Sequence, residues 1–293
     1  MGGLQSLLQY DDADENQANI YDDPAEPVRR VRWLLSELGL PMELVLDIMD
    51  LAEYYPSVSA ERSDLIRMRA DQHRRRDFCS TLLYLVSPPL PAGKEGESWR
   101  MKSVTWYIEG RDQGWGGEQQ GTIRQRMTCI PTSRLLTRIP RIGTFNGAYS
   151  WYEACIFRPI HTDPDPDRES LKAENDRLDA TLDTQNLHRT TADFVPMVEQ
   201  AGWSLLPNTE GNYAWHVQFN KVAQPAFARY TVEWRAGQPV DPQDAEEHGY
   251  GIGNGFLEAL RPGDRVGLLM RAQYAGWENL LRHAAVRLVY DVR

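Results

Sequence analysis

The chain has 293 residues, 41% of them apolar and 10% aromatic, which is enough to bury a core and excludes wholesale disorder. Its 42 acidic against 32 basic residues leave a formal charge of −10, so it does not read as a nucleic-acid or anionic-membrane binder, both of which need a basic surface. No basic-then-apolar leader opens it and no run approaches the roughly 18 apolar residues of a bilayer span, so a cytoplasmic or nuclear location is expected.

Residues 1–26 are acidic, with Asp11, Asp12, Asp14, Glu15, Asp22, Asp23 and Glu26 and few apolar anchors, and are expected to be a disordered tail. After Pro27, Val28, Val31, Leu34, Leu35 and Leu38 recur at helical spacing, and Gly39 stands where a helix ends. A second helix follows from Pro41, which is pre-set for a first turn, with Glu43 against its positive end. Leu44, Ile48, Leu51 and Ala52 share one face of it, opposite Glu43, Asp47, Asp50 and Tyr54, a stripe suited to docking on a partner or on the rest of the fold. Residues 60–77 carry Arg62, Arg67, Arg69, Arg74, Arg75 and Arg76, without interleaved aromatics for base stacking, and read as a solvated basic helix.

Residues 40–53, Leu-Pro-Met-Glu-Leu followed by aliphatic positions on a helix, resemble the opening of an F-box. That resemblance makes residues 27–77 a short helical F-box-like head. It implies a Skp1-type adaptor as partner, with Leu44, Ile48 and Leu51 as docking residues.

From Cys79 onward the period changes to two. Leu82 to Val86 form an apolar run ended by Pro88-Pro89; Val104, Trp106 and Ile108 alternate with polar neighbours, as do Trp215, Val217 and Phe219, then Tyr230, Val232 and Trp234. The same holds for Val266, Leu268, Met270 and Ala272 and for Val286, Leu288, Tyr290 and Val292, while residues 149–157 are rich in aromatics. The fold class is therefore mainly β, with antiparallel strands separated by Gly- and Pro-bearing turns. Residues 78–160 and 196–293 are expected to be two jelly-roll-like sandwich halves, joined at 161–195 by an acidic linker with a short solvated helix, in which Leu171, Leu178 and Leu182 are the few apolar positions. An echo supports duplication: Val104-Thr105-Trp106 with Asn146-Gly147 in one half, Val232-Glu233-Trp234 with Asn254-Gly255 in the other, and Gly-Trp pairs at Gly114-Trp115 and Gly276-Trp277. Each Asn-Gly is a hairpin signal. The glycines at 249, 251, 253 and 255 have the wrong spacing for a dinucleotide loop and read as structural.

The phrases Arg111-Asp112-Gln113-Gly114-Trp115, Tyr149-Ser150-Trp151-Tyr152-Glu153-Ala154 and Arg271-Ala272-Gln273-Tyr274-Ala275-Gly276-Trp277-Glu278-Asn279 resemble a class of fungal proteins over about 200 residues. In outline that class is similar to β-sandwich receptors joined to F-box heads, which bind glycans or peptides on sandwich loops.

No nucleophile elbow, zinc-protease helix, phosphate loop or Cys-x-x-Cys pair occurs, the six histidines are scattered singly, and Cys79, Cys129 and Cys155 read as reduced, partly buried thiols. No cofactor and no metal is implied. The sequence favours a recognition protein that binds a protein or glycan through Arg111, Trp115, Tyr152 and Trp277. The alternative is a cofactor-independent cyclase or isomerase of a fungal specialised-metabolite pathway, acting on a hydrophobic small molecule with Asp112 and Glu153 as acid or base.

Overall fold

The computed structural model describes residues 23–70, 79–114, 143–160, 168–182 and 187–293. The chain is mainly β, and the described residues form two five-stranded antiparallel sheets and six short helices. The first sheet runs β1 (Ser57–Arg62), β10 (Glu278–Val292), β4 (Trp99–Arg111), β8 (Ala228–Arg235), and β2 (Ile66–Arg69) also pairs with β10. The second runs β3 (Cys79–Val86), β9 (Arg265–Gln273), β5 (Ser150–Pro159), β6 (Trp203–Leu205), with β7 (Trp215–Phe219) also on β5.

The expected strands form, but they do not sort into two separate halves. β10 pairs with β4 along nearly its whole length and β9 sits between β3 and β5, so each sheet is woven from both parts of the chain. One core joins the sheets in a sandwich-like arrangement: Val104, Trp106 and Ile108 of β4 cluster with Leu82 and Tyr84 of β3, Ile156 of β5 and Leu268 and Met270 of β9. Bulges keep the apolar sides in phase. The register skips Lys102 on β4 and Arg282 on β10, so Met101 and Val104 both face inward, as do Leu281 and Ala284. Trp106, Trp234, Trp215 and Phe256 pack edge to face, with ring centroids 4.9–6.3 Å apart.

The glycine-rich loop at 249–255 closes on that aromatic group. A Cβ at Gly251 would lie 1.7 Å from the His216 carbonyl oxygen, and one at Gly253 would lie 2.2 Å from the Trp234 ring. Neither Asn-Gly pair joins two strands. Asn146-Gly147 lies in a turn ahead of β5, and Asn254-Gly255 leads into helix α6 (Phe256–Ala259), where Gly255 is the N-cap.

Two further sequence expectations change. Residues 57–62 and 66–69 are strands rather than part of a basic helix, because Val58, Ala60, Ile66 and Met68 turn inward and β10 offers them a pairing edge. The stretch read as a linker with a short solvated helix does hold a helix, α3 (Arg168–Thr181), and a 3-10 turn at its end leads into α4 (Val195–Gln200), but these helices are packed rather than solvated. Leu178, Leu182, Phe194 and Val198 pack with Leu83, Cys155, Phe157 and Leu269 on the far side of the second sheet, so all nine residues of β9 are buried.

The N-terminal helices α1 (Glu26–Glu37) and α2 (Met42–Leu51) form where expected, with Pro27 in the first turn of α1 and Pro41 as N-cap of α2. Their shared cluster is small: Val28, Val45 and Met49, flanked by Leu35 and Leu40.

Candidate functional site

β4 delivers Arg111 and Asp112 to one end of the sandwich. The buried Asp112 carboxylate accepts the backbone N–H of Gly114 at 2.8 Å and of Ala223 at 2.5 Å, tying the end of β4 to a loop in which Ala223 has a positive φ of 54°. Burial raises the carboxyl above its ordinary range, and these N–H donors oppose that rise. Asp112 thus serves backbone groups. Arg111 lies over the Phe227 ring at 5.2 Å and donates to the Asp112 carbonyl at 3.3 Å. Trp115 lies outside the described residues.

Tyr152 is wholly buried between the sheets, and its hydroxyl donates to Asn220 Oδ1 at 3.1 Å, so no face of its ring is available for stacking on a surface ligand. Asn220 Nδ2 donates to Ser150 Oγ and to Asn279 Oδ1, both at 3.0 Å, and Asn279 donates to the carbonyls of Trp151 and Arg271. Each of these amides has partners from segments remote in sequence, which makes the network a brace between sheets. Burial pushes the Tyr152 hydroxyl well above its ordinary pKa.

Glu153 points to the other side of the second sheet. It accepts from Trp151 Nε1 at 2.8 Å and from Arg271 at 2.7 Å, and Arg271 also donates to Thr191 Oγ1 at 3.0 Å. The Arg271 guanidinium is buried and 5.4 Å from the Trp151 ring centre. Both oxygens of Glu153 are therefore committed, one to the Trp151 indole and the other to the buried Arg271. Cys155, beside it in sequence, is a buried thiol that burial keeps protonated, and Cys79 is likewise a buried thiol outside any disulfide; Cys129 lies outside the described residues.

Trp277 sits in the turn that carries the chain from β9 in the second sheet to β10 in the first, where Tyr274 and Gly276 have φ of 73° and 83°. Tyr149 meets Tyr274 and Trp277 edge to face, at 4.5 and 5.1 Å. Trp277 is half-buried, so it keeps an exposed edge on this turn. Of the four expected ligand-binding residues, Arg111 and Trp277 are at surface positions.

A cavity of about 400 Å³ lies elsewhere, under the 89–92 loop. Pro24, Pro89, Pro91, Pro159 and Pro262 wall it, Leu171 and Trp203 add apolar surface, and Asp23 and Glu174 bring carboxylates. Neither Asp112 nor Glu153 lines it. The five prolines are dispersed between residues 24 and 262, so only the fold reveals that they converge.

On the head, Leu44, Ile48 and Leu51 are exposed, as are Trp33, Leu34, Leu38 and Met42; Leu51 and Leu38 reach 88% and 78%. The face of α2 that packs inward is the one carrying Val45 and Met49, one position along from the stripe. Among the described residues no helix is long and apolar enough to cross a membrane, and no group of three or more His, Cys, Asp or Glu is arranged to hold a metal ion. Compared with known proteins, the chain matches no family model and no curated protein.

Proposed function

We propose that this protein is a recognition module whose two-helix head docks on a Skp1-type adaptor while the sandwich-like body presents its surface to a protein or glycan. The observation that carries this reading is the exposed apolar stripe Leu44, Ile48 and Leu51, at spacing i, i+4, i+7 on a helix whose adjoining face, with Val45 and Met49, is already packed. Glu43 and Asp47 beside it are exposed as well, so the matching adaptor surface is an apolar groove with a basic rim. The F-box-like spelling of residues 40–53 supports the same partner. In a pull-down with purified Skp1-type adaptor, the intact chain is retained and the Leu44→Glu/Ile48→Glu variant is not; equal retention of both, or of neither, removes the reading.

A second reading, a cofactor-independent cyclase or isomerase, is supported by the proline-walled cavity, whose volume is typical of small-molecule sites. Its acid would be Asp23 or Glu174. Saturation-transfer NMR with a panel of hydrophobic polyenes tests it: signals lost on Leu171→Trp would favour the enzyme, and no signal from the intact chain would end it.

A further inference from the structure

The outer face of the first sheet, at the end where β4 finishes, carries a concentration of arginine that the composition hides. Register places it. Leu280 pairs with Arg67 on one side and with Arg111 on the other, so these two arginines flank one apolar residue on one face. A step along, Arg69 pairs with Glu278, and Glu109 pairs with Arg229 and with His283. Arg282 is the extra residue of the β10 bulge, and it reaches Glu109 at 2.7 Å and covers Phe227 at 4.6 Å, the ring that Arg111 also approaches.

Five guanidinium groups thus share this end with two carboxylates. Glu278 is gripped by Arg67 at 2.6 and 2.9 Å and by Arg69 at 3.5 Å; Glu109 is gripped by Arg282 at 2.7 Å and by Arg229 at 2.9 Å. On this face the balance is three positive charges, reduced to two by the buried Asp112 at the end of β4, in a chain whose total is −10. The next carboxylate along the sheet, Glu61, faces His283 at 3.6 Å. Hydrogen bonds from Arg282 and then Arg229 hold Glu109 at about 2, the response of a carboxylate to a strongly positive neighbourhood.

We propose that this face is a docking site for an acidic peptide: an extended segment with several Asp or Glu side chains, lying across β2, β10 and β4. The assignment extends the recognition reading above by naming the ligand class and the face. Adjacent strands are about 4.8 Å apart, so Arg67 and Arg111, with β10 between them, stand roughly 10 Å apart at the backbone. Alternate side chains of an extended peptide repeat every ~6.8 Å, within the reach of long arginine side chains. Phe227, half-buried under Arg111 and Arg282, is the apolar contact between the charges, while Leu280 beneath them is buried.

The test is fluorescence polarisation with a fluorescein-labelled decapeptide of alternating Glu and Ala, against its Gln and Lys counterparts. The Glu peptide binds, the other two bind at least tenfold more weakly, and Arg67→Gln/Arg229→Gln weakens the Glu peptide at least tenfold. Both side chains are largely exposed, at 61% and 84%, so the variant folds, and an unchanged thermal midpoint confirms it. Equal binding of the Gln peptide, no effect of the arginine substitutions, or tighter binding of an oligonucleotide or an anionic phosphatidylserine vesicle overturns the proposal. Adaptor pull-down on the same variant separates the two ideas: retention of adaptor with loss of peptide leaves the head reading intact, while loss of peptide binding from the intact chain removes this site alone.

Discussion

The sandwich-like body and the two-helix head are held by different forces. The body interlocks strands distant in sequence around tryptophans and aliphatics that exclude water, with charged groups such as Arg271 and Arg265 buried only where partners meet them. The head buries Val28, Val45 and Met49 between its own helices and reaches the body mostly through polar contacts. Arg29 forks onto Glu97 at 2.7 and 2.8 Å, Asp50 takes Arg293 at 2.5 and 2.7 Å, Arg32 donates to the Val292 carbonyl, and Lys102 lies 4.5 Å from the Tyr55 ring centre. The head is thus fastened largely by charges and keeps apolar side chains outward, whereas the body is fastened by its own core.

Breaking the body should have the largest effect. Trp106→Ala removes a fully buried ring from the meeting point of both sheets and should cost about 3–5 kcal/mol, read from urea unfolding, with loss of the far-UV β signal at lower denaturant. Asp112→Ala leaves the N–H groups of Gly114 and Ala223 without their acceptor and should cost about 1–3 kcal/mol, while leaving adaptor retention unchanged.

The clasp between the parts is the next target, and it should respond to pH. Hydrogen bonding to Arg29 draws Glu97 from 4.5 to about 2, so its contribution is present above pH 4.5 and lost as pH falls toward 2. After a discount for partial exposure it is worth on the order of 1–2 kcal/mol of head docking. Limited proteolysis between α2 and β1 should accelerate over that interval before the sheets unfold; a rate flat until global unfolding would show that head and body melt as one. The smallest stability effect belongs to the apolar stripe: Leu51→Ser should shift unfolding by less than about 0.5 kcal/mol, because that side chain has little to lose. A larger cost would mean the stripe is packed against the protein itself.

Much of this contrast was legible in sequence, but unevenly. Period-two alternation marked β4, β8, β9 and β10 as strands because each has one apolar side, and Pro41 with Gly39 marked the break between the helices. Pairing was invisible, since β10 meets β4 about 180 residues away and nothing local encodes that choice. Arg265 and Arg271 suggested a solvent face on β9, whereas Asp179 and Glu153, 86 and 118 residues away, neutralise them in the interior. Among the candidate site residues, Leu44, Ile48 and Leu51 could be read from spacing. The burial of Tyr152, the commitment of Asp112 to backbone groups and the arginine face depend on register that only the fold supplies.

The most direct measurement is amide hydrogen exchange of the whole chain with and without purified Skp1-type adaptor. The account predicts added protection at α1 and α2, centred on residues 44–51, with exchange of β4, β9 and β10 unchanged. Protection confined to the sheets, or none at saturating adaptor, would contradict a head built for docking.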